Sequence, residues 1–283
     1  MQHLWSGEEL DLGTYLARIG YEGEHRPTLA ALRALHRAHV LSLPFENLNP
    51  VLSRAVPLDL PSLQAKMVTG TRGGYCYEHV TLFAAALERF GFGLTGLHGR
   101  VRMGQDKVLP TTHAMLRVET ADSERPWLCD VGFGSSPLTP LPLEDGAEES
   151  AGDWRYRLER HTVPPEPGAD GWILYEWDPA GGRWFDRHAF VTVPQHPVDY
   201  VVGSHFVASH ERSPFVARPY IQRVHDDRLH VLDGLTLRTY RPGDGSAQER
   251  AVEPHEAVKV LEDTFGVGLD DRTADELTAK LSA

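Results

Sequence analysis

The sequence predicts an α+β protein that is helical first, then mostly strand, then mixed. Up to about residue 93, apolar residues recur at three- and four-residue spacing between capping residues; from about residue 94 they alternate every second position. At 283 residues the chain has room for two domains, or for one large domain with appended parts.

Asp11 is placed to cap a helix with Leu12, Tyr15, Leu16 and Ile19 on one face and Gly20 at its end. Thr28 caps the next, in which Leu29, Leu32 and Leu35 recur before Pro44 forbids continuation. Asp59-Leu60-Pro61 opens a third, since proline is tolerated in a first helical turn. A fourth follows Cys76, with Val80, Phe83, Ala84 and Leu87 as an apolar stripe and Gly91 as the stop. Ala114, Leu116 and Val118 then alternate with His113, Met115 and Arg117, which predicts a half-buried strand. Trp127 to Val131 forms another, reached across the polar stretch Glu119 to Pro126. Gly171 to Trp177 and Arg183 to Val193 flank Asp178-Pro179-Ala180-Gly181-Gly182, a hairpin signal. Val163 to Gly168 has the composition of an exposed loop. Near the end, Val231 to Leu237 suggests a strand and turn, and Pro254 to Phe265 a helix closed by Gly266. Thr273-Ala274-Asp275-Glu276 has capping-box spacing and opens a last short helix.

Composition removes several function classes. A net charge of -12 argues against nucleic acid as the main partner, although a small anionic cofactor needs only a local cluster of donors. No apolar run approaches the roughly 18–20 residues that span a bilayer. The start, Met1-Gln2-His3-Leu4-Trp5, lacks the basic and apolar regions of an export signal, so a cytoplasmic setting is expected. The only two cysteines, Cys76 and Cys129, fit a reducing compartment. His36 and His39 stand at helical spacing but have no carboxylate or thiol at the usual offsets, and no metal site is expected.

Cys76 lies in Arg72-Gly73-Gly74-Tyr75-Cys76-Tyr77-Glu78, where a glycine turn meets a helix. Free amides and the dipole at a helix N-terminus favour negative charge and so activate a thiol, and glycines let the backbone approach a substrate closely. Read alone, an unpaired cysteine is more often a small core residue; the glycine pair and the helix reverse that preference. A nucleophilic cysteine needs a base and a group to orient the base. His113, read alone, is a hydrogen-bonded structural histidine. Asp130, in Trp127-Leu128-Cys129-Asp130-Val131-Gly132-Phe133-Gly134, is a carboxylate inside an apolar strand, costly unless paired, and an imidazole Nδ1–H is a natural partner. The competing reading of Asp130 is a strand-end residue capping the glycine turn. Cys129 has no such context and reads as core.

These motifs together resemble the arylamine N-acetyltransferases. Arg72 to Glu78 followed by Leu82-Phe83 is similar to the family's nucleophile motif, Thr112-His113-Ala114-Met115-Leu116 to its histidine strand, and Asp130 to Gly134 to its aspartate strand. Tyr15 to Gly20, Pro44 to Leu48, and the segment Pro194 to Phe215 with Asp199 and Ser213 also match. The resemblance implies a helical bundle over 1–93 carrying the nucleophile, an antiparallel β-barrel over 94–203 carrying the histidine and aspartate, and an α/β lid over 204–283, around a cysteine-protease-like core. It implies a triad of Cys76, His113 and Asp130 that takes an acetyl group from acetyl-CoA and passes it to an arylamine or arylhydrazine. It places Thr112, Phe133, Gly134 and Phe206 near the cofactor or acceptor pocket, and Arg18, Glu46 and Arg72 in an ion cluster under the nucleophile loop. Val80, where the family usually has asparagine, and Ser204 and Phe206, where asparagine and tyrosine are common, depart from the pattern on the acceptor side. The alternative with the same triad is an amide synthase of a secondary-metabolite pathway acting on a carrier-bound acyl chain. The expected partners are an aromatic amine and a CoA thioester, with oligomeric state open between monomer and homo-oligomer.

Overall fold

Helices form in the first third where their cap residues stand. A computed structural model describes residues 4–105, 107–162 and 170–282; the loop expected over 163–168 lies outside them. Asp11 accepts a hydrogen bond from Thr14 N (3.0 Å) to start α1 (Leu12–Ile19), and Gly20 ends it with φ 71°. Thr28 caps α2 (Leu29–Ser42). A one-turn helix, α3 (Leu48–Val51), was not legible in the sequence. Asp59 caps α4 (Leu60–Leu63), which runs on into a π turn, Gln64–Val68. The helix that begins at the thiol is α5 (Cys76–Phe90), closed by Gly91 at φ 85°. The expected apolar stripe understates its burial, because every residue of α5 except Glu88 and Arg89 is buried. α1, α4 and the strands described next surround it.

The strands β1 (Gly93–Val101), β2 (Thr111–Thr120), β3 (Ser123–Cys129), β4 (Leu141–Pro142), β5 (Ala147–Ala151), β6 (Trp154–Thr162), β7 (Asp170–Asp178) and β8 (Arg183–Val191) form one antiparallel sheet. Its order is β4-β3-β2-β1-β8-β7-β6-β5, and its two edges meet through the short turn between β4 and β5, giving a nearly closed barrel. The hairpin expected around 178–182 joins β7 and β8. Two expectations need correction. Most of the polar stretch 119–126 is strand, because the chain reverses at Ala121-Asp122 and β3 pairs with β2 from Ser123 on. β2 is also not half-buried where His113 stands: His113 to Leu116 are all buried, since α5 and a later helix cover one face and the barrel interior the other.

Beyond the barrel come α6 (Pro197–Ser209), α7 (Pro214–Ala217) and a second antiparallel sheet of β9 (Tyr220–Val224), β10 (Leu229–Asp233), β11 (Thr236–Tyr240) and β12 (Ala247–Ala251). The expected domain boundary at 203/204 falls inside α6. α8 (Ala257–Val260), flanked by a 3-10 turn and a π turn, ends at Gly266 with φ 68°. In α9 (Asp271–Leu281) the cap is Asp270, whose carboxylate accepts from Thr273 N (2.8 Å), rather than Thr273 itself. Ile221, Leu232, Phe265 and Leu277 build a separate small core with Leu48 and Val51 of α3. Phe45 lies between this sheet and the loop before Cys76. It exchanges two backbone hydrogen bonds with Gln222 of β9 (2.9 and 3.0 Å) and forms a bridge with Gly74.

Candidate active site

The loop before Cys76 is seated against its own chain. A Cβ on Gly73 would stand 1.8 Å from Pro44 O, and one on Gly74 2.7 Å from Glu78 Cβ, so both positions exclude any larger residue. The glycines therefore admit neighbouring protein rather than the substrate that the sequence suggested. Beneath the loop, Arg72 pairs with Glu46 at 2.7 Å, and Lys66 with Glu78 at 2.7 Å and Glu46 at 3.3 Å. Burial pushes the Glu78 carboxyl upward, whereas at Glu46 burial is outweighed by Lys66 and Arg72 and the group is held low. Arg18, expected in this cluster, instead donates to Met67 O (3.2 Å), and Lys66 takes its place. A buried chain of hydrogen bonds then ties α5 to Pro44. His79 Nε2 donates to Pro44 O (3.1 Å), so its Nδ1 accepts from His39 Nε2 (3.0 Å), and His39 Nδ1 accepts from Tyr15 OH (2.8 Å). Burial keeps both imidazoles neutral, which fixes the direction of every bond in the chain.

Cys76 occupies the first position of α5 and is 5% exposed. Its Sγ lies 3.6 Å from Thr112 O, and Gly132 packs on its backbone from the other side. His113 is on β2 opposite Gly99, at a bulge in the β1–β2 pairing; bulges commonly re-aim side chains at such places. Asp130 stands one residue beyond β3, fully buried, and its Oδ1 is 2.9 Å from His113. It is Nε2, not the expected Nδ1, that meets the carboxylate, which leaves Nδ1 as the ring nitrogen available to the thiol. Burial opposes charge on both partners. Asp130 and the neighbouring sulfur nevertheless raise His113 to about 9. His113, with His188 and Arg187 further off, holds Asp130 down at about 2. At neutral pH the pair is imidazolium and carboxylate. Cys129 is fully buried and its thiol is pushed far up by burial, as a core residue requires.

With the geometry in place, the comparisons decide the family. The sequence profile of the N-acetyltransferase family matches residues 28–274. The arylamine N-acetyltransferase of Mycolicibacterium smegmatis is 36% identical over 96% of this chain and 98% of its own length. The solved structure of the Nocardia farcinica arylamine N-acetyltransferase superposes with a TM-score of 0.93 at 52% identity, covering 99% of this chain and 98% of that one. That of Mycobacterium marinum in complex with CoA gives 0.85 at 33% identity, covering 96% and 98%. The chain belongs to the arylamine N-acetyltransferases. Among the described residues of this family member, no helix is long and apolar enough to cross a membrane.

The residues that the family resemblance singled out fall in two groups. Phe133 borders the His113 ring edge-on at 4.9 Å between centroids, while Thr112 meets the site through its carbonyl oxygen, 3.6 Å from Cys76 Sγ. Gly134 (φ 93°) lies against Gln222, whose Oε1 would be 1.9 Å from a Cβ there. Phe206 stacks on His210 at 4.5 Å, along its own helix. Its neighbours on α6 do reach the residues on either side of Cys76. Ser204 Oγ is 2.5 Å from Tyr75 OH, and a Cβ on Gly203 would be 2.0 Å from Tyr77 OH. Val80 is buried within α5.

Two site residues escaped sequence reasoning. In the β7–β8 ladder Leu174 pairs with His188 and Tyr175 with Asp186, so Arg187 is the extra residue of a bulge. Two consecutive side chains therefore reach the same ring: the Arg187 guanidinium lies 4.2 Å over Phe133, and His188 is 5.4 Å from it. Arg187 is buried, paired with Glu176, and donates to Ser135 Oγ (2.9 Å), which pins the loop carrying Phe133. The available signal was Asp186-Arg187-His188, three polar residues that break the alternation of a strand. His113, Asp130 and His188 present ligand atoms within 4.8 Å of one another, an arrangement that could hold a metal ion.

Proposed function

We propose that the chain transfers an acetyl group from acetyl-CoA to the nitrogen of an arylamine or arylhydrazine through a thioester on Cys76. The observation that carries this reading is the buried His113–Asp130 contact, 2.9 Å, beside the first turn of the helix that Cys76 begins. The CoA held by the Mycobacterium marinum relative supports the choice of donor.

In this reading the Cys76 thiolate attacks the acetyl carbonyl and the bond to the CoA sulfur breaks. The CoA thiolate leaves with the His113 proton. The amine then attacks the thioester while neutral His113 takes a proton from its nitrogen. The C–N bond forms, Cys76 departs as thiolate, and the ion pair is restored. Asp130 keeps the ring oriented and balances its charge without itself changing protonation. A weakly basic aromatic amine suits the second half, because it is largely unprotonated at neutral pH, whereas an alkyl ammonium with pKa near about 10.4 is not. The helical first third supplies the nucleophile, the barrel strands β1 to β8 and their loops its partners, and the segment from α6 onward a cover. Two free thiols, Cys76 and Cys129, fit a cytoplasmic setting.

Mass spectrometry of the protein mixed with acetyl-CoA tests the proposal. A single acetyl adduct should map to Cys76 and discharge on adding an arylamine, and steady-state double-reciprocal plots should be parallel. An adduct on Cys129, an adduct persisting in Cys76→Ala, or intersecting plots would refute it.

A further inference from the structure

We propose that His188 is a positioning residue for this chemistry: its Nε2–H holds the Asp130 oxygen that His113 leaves free. The proposal rests on the triad reading above and adds a fourth side chain to it.

Asp130 is fully buried, and only Oδ1 is engaged by His113; among the described residues Oδ2 has no hydrogen-bond partner. An anionic carboxylate with one oxygen unmet in a dry interior is costly, and such a group calls for a donor. His188 is that donor by position. It is also fully buried, neither of its ring nitrogens has another partner among the described residues, and its Nε2 lies 3.6 Å from Oδ2. The groups that act on it are Asp130, His113 and Arg187; burial dominates, and the ring is neutral, held at about 3. A neutral imidazole carries one N–H, and beside a carboxylate the proton belongs on the nitrogen facing it. The separation is a few tenths of an ångström beyond a hydrogen bond. Catalytic contacts are often loose in the free enzyme and tighten when ligand is bound.

The ladder explains how the residue arrives there. The bulge at Arg187 turns His188 inward, where its ring sits 4.8 Å from that of His113 and 5.4 Å from Phe133. Asp130 is thus flanked by two imidazoles with different duties. His113 on Oδ1 carries the charge and meets the thiol, while His188 on Oδ2 stays neutral and fixes the rotation of the carboxylate. Loss of the second contact frees the carboxylate to turn and lets His113 swing away from Cys76.

The test measures the rate at which the acetyl adduct forms on Cys76 in His188→Phe and His188→Gln. Phenylalanine keeps the ring volume and removes the donor; glutamine restores an N–H. Removing the residue that orients a metal ligand typically costs about 10- to 100-fold; by analogy a loss of that size is expected in His188→Phe, with the half-saturating acetyl-CoA concentration unchanged. The alkaline limb of its pH–rate profile should move upward, because Asp130 without His188 interacts more strongly with the His113 imidazolium. His188→Gln should recover most of the rate and the normal profile. A folded His188→Phe that acylates within twofold of the unaltered protein overturns this proposal alone. So does a folded His188→Gln as slow as His188→Phe; if the phenylalanine variant fails to fold, His188→Leu, which also lacks a donor, takes its place under both criteria. Absence of any adduct on the unaltered protein overturns both this proposal and the triad reading. A rate that a chelator alters and zinc restores only when His188 is present would make the trio a cation site and remove the positioning role.

Discussion

Gly132 and Cys76 touch backbone to backbone: a Cβ on Gly132 would stand 2.7 Å from Cys76 Cα and 2.9 Å from its carbonyl oxygen. The loop that carries Phe133 is thereby pressed onto the first residue of α5, with the thiol between that loop and Thr112.

Gly132→Ala should therefore separate the two loops. Overpacking a buried site costs about 1–3 kcal/mol, which should appear as a lower midpoint in urea unfolding. The acylation rate should fall by a larger factor than the stability loss implies, because the displaced atoms belong to the proposed nucleophile. An alanine variant with an unchanged rate would show that the contact is slack.

Asp130→Asn keeps the shape of the side chain and removes its charge. His113 then loses the main influence that raises it. By analogy with other triads, acylation should slow by roughly two to four orders of magnitude. The variant should remain folded by circular dichroism, and a folded variant with near-normal rate would refute the role given to Asp130.

Lys66→Met strips Glu46 and Glu78 of the cation they share, leaving only Arg72 on Glu46. Breaking one partner from a buried ion network costs on the order of 3 kcal/mol. The deficit should shrink as pH falls into the carboxylate range, because burial already pushes Glu78 upward and the variant lacks Lys66, the main influence that lowers it. A deficit independent of pH would mean that the loss is one of packing alone.

Stability should also fall on both sides of neutrality, for opposite reasons. Burial holds His36 and His79 at about 4 and His39 well below its ordinary value of 6.5. As pH drops from about 6.5 to about 4, the unfolded chain takes up protons that the folded chain refuses, and stability is lost. His113 acts in reverse. Raised to about 9, it stabilises fully below about 6.5, and its contribution disappears as pH climbs through about 9. Urea midpoints at pH 4.5, 6.5 and 9 should peak at the middle value. Neither ring nitrogen of His36 has a hydrogen-bond partner among the described residues; the Leu138 backbone is near but outside bonding geometry. His36→Leu should accordingly flatten the acid side at no cost at pH 7. Equal acid sensitivity in that variant would exclude His36 from the effect.

The parts of the fold that were legible are those governed by neighbours in the chain. Asp11, Thr28, Asp59, Gly20, Gly91 and Gly266 cap or close the helices that their positions announce, since capping is decided within three or four residues. Tertiary contacts decided the rest. Asp130 looked like a mid-strand carboxylate, and its place just past β3 follows from pairing with β2. Lys66 lies on a π turn and reaches two carboxylates, Glu46 and Glu78, that lie 20 and 12 residues away along the chain. His188 faces inward only because Arg187 is bulged, and a bulge is a property of two strands.

The bridge at Phe45 also bears on how the protein is made. Its backbone bonds reach Gln222, and the next residue, Glu46, donates to Gly74 O at 2.9 Å. The seat of the reactive loop thus cannot be completed until residue 222 has left the ribosome, long after Cys76 itself. Contacts so distant in sequence form late. On the function proposed above, a chain stalled partway through translation would carry Cys76 without the seat of its loop, and so should resist acylation until the second sheet is made.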